Sequence, residues 1–310
     1  MSSIDEAVAT TSPTDGDNPK PKLNHKNYLN FVAYILNILL VYGVGNAGWA
    51  GTPDNGELSR KYQTLVTPSS RAFTIWAVIF LFQGAFAICQ FLPRFRAQPM
   101  LTNGASYWYS VVVAMQIGWT FAFAFEVIPL SLVFMMLIWM ALMALLYSQY
   151  YTESDGSLWE FWILRFPFAV HAGWITAASA LNVNVQVVSM SQPADVQLAV
   201  AIVALAVLHA ISVWVLFYIE RPNWTIACVL SWAFGFIYQE LGNPNELITS
   251  TFETSTINGV KYAAIAVCVI ILTQIVIRLG LLSRPSRNPY RKVNEVDERS
   301  LLINDSSNKV

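Results

Sequence analysis

Apolar residues arrive in long blocks separated by short polar stretches, at about 28–50, 72–93, 106–126, 128–151, 158–187, 195–219, 222–241 and 258–282. Blocks of roughly 20 residues, rising about 1.5 Å per residue as helix, cover the ~30 Å hydrocarbon layer of a bilayer. Backbone groups in lipid must pair within their own segment, so the blocks are predicted to be helices. The narrowest separations are Ile128-Pro129 and Arg221-Pro222. Read as tight turns they give eight spans, and reading either as a kink lowers the count by one. The expected fold class is all-α, a polytopic membrane helix bundle.

Composition agrees with this pattern. The 310 residues are 55% hydrophobic and 12% charged, against about 25% charged in soluble domains. Mean hydropathy is +0.47. The net charge of −1 offers nothing to nucleic acid, and the bilayer itself is the first partner expected. Cys89, Cys228 and Cys268 lie in apolar segments without paired or metal-type spacing, which argues against a disulfide framework or a metal site.

Residues 1–27 and 283–310 are polar tails. Eight spans put both tails on one side, with Lys20, Lys22, Lys26, Arg94, Arg96, Arg221, Arg278, Arg284, Arg287, Arg291 and Lys292. The other side has Arg60, Lys61, Arg71 and Lys261, so the basic excess points to cytoplasmic termini. The sequons at Asn223 and Asn304 then face the cytoplasm and carry no glycan. DERSLL at 297–302 resembles an acidic dileucine sorting signal read by clathrin adaptors, with Asp297, Leu301 and Leu302 as its determinants. It points to an endomembrane, lysosome or vacuole.

GVGNAG at 43–48 has the spacing of a dinucleotide fingerprint but ends a membrane span. Without the strand and soluble helix such a fingerprint requires, it reads as close helix packing or an unwound helix end. There is no Ser-His-Asp order, no pair of catalytic carboxylates and no phosphate loop, so no catalytic residue is assigned and no enzyme reaction is expected. Glu126, Arg165, Glu240 and Lys261 fall near span ends, where snorkelling to headgroups or water is the expectation.

The chemistry lies in aromatic and amide residues at helical spacing. Trp76, Phe80, Gln83 and Ala87 form one stripe on the second span; Tyr109, Gln116, Trp119, Thr120 and Phe123 form another on the third; His171, Trp174, Ala178 and Asn182 form a third on the fifth. Polar groups at bilayer depth turn from lipid because an unpaired amide or imidazole there costs several kcal/mol. The stripes are therefore expected to converge, either as hydrogen-bonded glue between helices or as a pocket walled by tryptophan faces. Of the eleven tryptophans, Trp49, Trp108, Trp159, Trp162 and Trp224 instead sit where an interfacial belt would place them. His171 has two readings, a haem-iron ligand or a hydrogen-bonded packing residue, and His209 has the same two.

RFPFAVHAGWITAASALNVNV (165–185), with Pro167, Trp174 and Leu181-Asn182, resembles the last helix of the tryptophan-rich sensory protein and translocator protein (TspO/MBR) family. TPSSRAFTIWAVIFLFQGAF (67–86) is similar to that family's proline-rich loop and following helix, with Trp76, Phe80 and Gly84. MQIGWTFAF (115–123) is similar to its amide-x-x-Trp-Ser/Thr segment. The resemblance covers about residues 30–190, and three further helices follow. It implies a five-helix core at 28–190, an addition at 191–282, and a pocket for tetrapyrroles (porphyrin or haem) or for sterol-like lipophiles. It carries the ligand-binding role to Trp76, Phe80, Trp119, Trp174 and Asn182, beside Gln83, Gln116, Phe123 and His171 from the stripes. The leading expectation is thus a membrane binding protein or sensor for a lipophilic small molecule, with a bound porphyrin or haem as the cofactor the resemblance admits. The alternative is an endomembrane small-molecule transporter. Homo-oligomers stay open, and mitochondrial or endoplasmic reticulum membranes are the alternative compartments.

Overall fold

The computed structural model describes residues 22–283 apart from residue 50. Asp297, Leu301 and Leu302 of the sorting pattern, and the sequon at Asn304, lie outside the described residues. Eight long helices follow one another: α1 (His25–Gly45), α2 (Ser70–Cys89), α3 (Trp108–Ala124), α4 (Ile128–Tyr151), α5 (Phe166–Ser189), α6 (Ala194–Tyr218), α7 (Trp224–Glu240) and α8 (Thr254–Leu282). Among the described residues there is no strand. Both narrow separations are true turns. After α3 the chain reverses at Glu126, whose φ of +58° places it in the left-handed region, and Pro129 sits in the first turn of α4, where its missing N–H costs nothing.

Five helices, α1, α2, α4, α6 and α8, are long and apolar enough to cross a membrane by length and composition alone. The chain is a multi-pass membrane protein. Helices α3 and α7 have 17 residues each. Helix α5 stands apart for another reason: all of Pro167–Ser179 is buried, since α2, α4, α6 and α7 pack around it. A helix enclosed by protein can carry Ala, Gly, Ser, Thr, Asn and His where a lipid-facing one cannot. Helix α8 is the opposite case, with 6% of its apolar stretch buried.

Contacts fix the two ends of the bundle. His25 and Lys26 at the start of α1 meet Tyr107, Thr102 and Ser106 before α3, while Asn27 and Asn30 meet Gln90 after α2. At the far end, the short helix Asn55–Lys61, closed by a reciprocal Asp54–Glu57 capping box, leads into a strap, Tyr62–Ser69. Helices α1, α3 and α5 run from the first end to the strap end, and α2 returns. In the GVGNAG segment Gly43 lets the Trp49 ring lie against the helix, where a Cβ would be 2.2 Å from Cε3, and Gly48 turns with φ +63°. The segment therefore ends a helix by close packing.

Candidate functional site

The buried side chains of the N-terminal helices stack in layers. Near the first end, Phe86 (α2), Tyr109 (α3) and Phe168 (α5) form a mutual edge-to-face trio with centroids 4.9–5.6 Å apart. Ala33 (α1) and Val113 (α3) belong to the same apolar cluster. One helical turn towards the strap, an offset of three residues on α2 and α5, lie Gln83 and His171, and Asn37 on α1 and Gln116 on α3 are further buried amides of the neighbouring helices. All four are buried, none above 1% exposed. The Gln83 amide lies 3.0 Å from His171 Nδ1 and its Oε1 accepts from the Tyr109 hydroxyl at 3.4 Å. That network assigns the amide as donor to Nδ1, which leaves Nε2 carrying the imidazole proton.

The aromatic residues of the stripes divide into groups. Trp76 stacks on Phe80 at 5.5 Å and meets the His171 ring edgewise at 5.6 Å. Trp119 stacks on Phe123 at 5.1 Å, and its Nε1 donates to Asn182 Oδ1 at 3.1 Å. Trp174, 2% exposed, meets Phe73 edgewise at 5.5 Å and faces the strap, lining a void with Pro68, Ala178, Leu208, Ala233 and Ile237. Among the described residues no ring contact joins the three tryptophans to one another. The void beside Trp174 has a volume of about 10 Å³, room for about one water. The larger space, about 480 Å³, is an open groove between α6 and α8 that none of the stripes lines.

Sequence reading also missed partners. Glu126 binds Lys61 and accepts from the Tyr62 hydroxyl at 2.7 Å. These hydrogen bonds hold its carboxyl below the ordinary carboxylate range. Arg165 pairs with buried Glu160 at 2.6 Å, and Glu240 accepts from Gln63 at 2.5 Å. Lys261 lies over the rings of Tyr238 and Tyr262. His209 meets Gln274 of α8 at 3.2 Å, a packing contact between helices.

The strap is fastened to α7. Ser69 donates from its backbone to Phe236 O at 3.0 Å and from its hydroxyl to Gln239 Oε1 at 2.9 Å. Gln63 also accepts from the Asn245 backbone at 3.0 Å, and the Trp232 indole donates to Ala72 O at 3.2 Å. Helix α7 and Asn245 beyond its end thereby hold the loop at the strap end of the N-terminal helices. Residues 27–277 match the family model described as TSPO-like protein, across all eight helices. The chain belongs to the TSPO-like family. No curated protein and no solved structure matches it. TSPO-like membership makes this, in general terms, a membrane protein that binds or transports small molecules, and the match includes the α7 latch as well as the layered N-terminal helices.

The surroundings of His171 do not fit the haem that the resemblance admits. Trp76 lies against the imidazole. No Lys or Arg occurs in α1 after Lys26, in α2 after Arg71, or anywhere in α3, α4 or α5 to pair with propionates at that depth.

Proposed function

We propose that this TSPO-like protein binds a flat lipophilic small molecule inside its N-terminal helices, as a membrane-embedded binding protein or sensor. The observation that carries this reading is the buried Gln83–His171 pair, edged by Trp76 and Phe80, with the buried amides of Asn37 and Gln116 on the neighbouring helices. Buried amides at bilayer depth are costly as mere filler, whereas ring faces beside a few polar anchors suit a planar ligand. Family resemblance supports sterol-like molecules and tetrapyrroles as the classes to try. In detergent or nanodiscs, titration with a porphyrin and with a sterol is expected to quench tryptophan emission saturably with one of them. His171→Leu should weaken that binding by about tenfold or more, the worth of one buried hydrogen bond and a ring contact. Absence of saturable quenching with both classes would sink the proposal.

The basic excess at one end of the bundle supports cytoplasmic termini, and with them adaptor recognition of Asp297, Leu301 and Leu302 and an endomembrane address, lysosome or vacuole. Leu301→Ala with Leu302→Ala is expected to move a tagged protein from an internal compartment to the plasma membrane. Unchanged imaging would remove the sorting role.

A further inference from the structure

We infer that the groove between α6 and α8 is a second binding site, which takes a long-chain lipid alcohol with its chain along the groove and its hydroxyl at His209 and Gln274. This site shares no residue with the ligand site proposed in the N-terminal helices, so either can fail without the other.

Helices α6 and α8 are joined on one side and parted on the other. Gln274 meets His209 at 3.2 Å, and further towards the first end the Arg278 guanidinium lies over the Phe217 ring at 6.0 Å. Both contacts advance together along the two helices, so α6 and α8 run the same way. On the strap side a groove of about 480 Å³ opens, bounded by Leu198 and His209 on α6 and by Thr256 and Val267 on α8. Each bound spans an offset of eleven residues, or about 16 Å of helix. Gly259 and Ala263 line the opening, and a Cβ on Gly259 would meet nothing within 4 Å.

Width and surroundings select the occupant. Spread over its length, the volume gives a mean cross-section of about 30 Å². A helix with its side chains is about 10–12 Å across, or roughly 80–110 Å² in section, too broad to enter. A single hydrocarbon chain is slender enough. Helix α8 has 6% of its apolar stretch buried, so the groove opens onto the acyl chains of the bilayer, and an apolar molecule reaches it without crossing water.

The closed end of the groove is polar, and its hydrogen bonding is incomplete. His209 stands fifteen residues into α6, about 22 Å from the strap end of that helix, a depth at which polar side chains are costly and mark functional sites. The Gln274 amide spends one end on His209 Nε2, while its buried Oε1 has no partner. A hydroxyl both donates and accepts, so it satisfies the free amide atom whichever way round the amide lies. A carboxylate only accepts, and carrying its charge to this depth is far more costly. The charged head of a phospholipid stays at the interface for the same reason.

A photoreactive hexadecanol with a diazirine in its chain tests this in the full-length protein in nanodiscs, with labelled residues mapped by mass spectrometry. Expected is saturable labelling of the groove residues, displaced by unlabelled hexadecanol at least about fivefold better than by hexadecane or palmitate. Ala263 is exposed, so Ala263→Phe fills the groove without touching the core, and labelling should fall about tenfold or more. Gln274→Leu should weaken hexadecanol binding about fivefold and leave hexadecane binding unchanged, a difference that a merely structural amide would not produce. Labelling that never saturates and spreads over exposed α8 residues such as Leu272 and Val276 would mean ordinary boundary lipid and overturn the inference. So would equal displacement by hexadecane or palmitate. A dimer that Ala263→Phe converts to monomer, without groove labelling in either, would assign the groove to a second copy of the chain and overturn it as well.

Discussion

Gly173→Leu is expected to lower the melting temperature of the purified protein by about 6–12 °C, the counterpart of an overpacking cost of about 3 kcal/mol in a chain of this size. Gly173 lies midway along the fully buried stretch of α5, where α7 crosses it. Even a Cβ at this position would stand 2.9 Å from Val229 Cβ and 3.2 Å from the Ile226 Cα. The second of these is backbone, so a larger side chain must push α7 away instead of rotating a neighbour aside. The strap is bonded to the same helix, and displacement of α7 carries it along. Gly84 and Gly118 are equally crowded, but by the Tyr34 and Phe134 side chains, which can turn, so leucine there should cost less. A melting temperature within about 2 °C of wild type for Gly173→Leu would show that α5 and α7 are not in the described contact.

Gln63→Ala combined with Ser69→Ala is expected to speed tryptic cleavage at Arg60, Lys61 and Arg71 by about thirty- to a hundredfold. The pair removes three hydrogen bonds between the strap and the α7 end, those to Glu240, Asn245 and Gln239. Their combined worth is about 2–3 kcal/mol, and local opening governs proteolysis when reclosing is fast. The Ser69 backbone bond to Phe236, the indole bond of Trp232 to Ala72 O and the Asn245 amide bond to Arg60 O would remain. Arg94, exposed at the opposite end of the bundle, supplies the internal control, and its cleavage rate should not change. Equal rates at all sites in variant and wild type would mean that the strap is held by its buried Leu65 and Val66 instead. Because the latch belongs to α7, the same measurement asks whether the C-terminal helices govern access to the strap end.

Much of this protein is written in the order of its residues, and the reason is the solvent. A bilayer offers no hydrogen bonds to a backbone, so runs of apolar residues can only be helices, and the order of the eight long helices among the described residues was legible, five of them long and apolar enough to cross a membrane. The turns at Pro129 and Pro222 were legible too, because proline tolerates the first positions of a helix and little else within one. Family membership showed in three short motifs, since the enclosed α5 had to keep small and polar residues that a lipid-facing helix would exclude. Side-chain partners were another matter. Periodicity gives the face of a helix but not which neighbour it meets, and only the tertiary structure brings Trp76 to His171, Trp119 to Asn182 and Trp174 to the strap. Depth along each helix, which sets Gln83 against His171 and Trp119 against Asn182, depends on how rods from distant parts of the chain slide against one another. Likewise, Glu240 looked like a solvated helix end until the fold placed Gln63, far earlier in the sequence, beside it. The sequence by itself determined the helices and their lipid or protein surroundings, because each is a local contest between backbone, side chain and solvent. Only the packed bundle decided register and pairing, because those are set by contacts between residues that the chain keeps far apart.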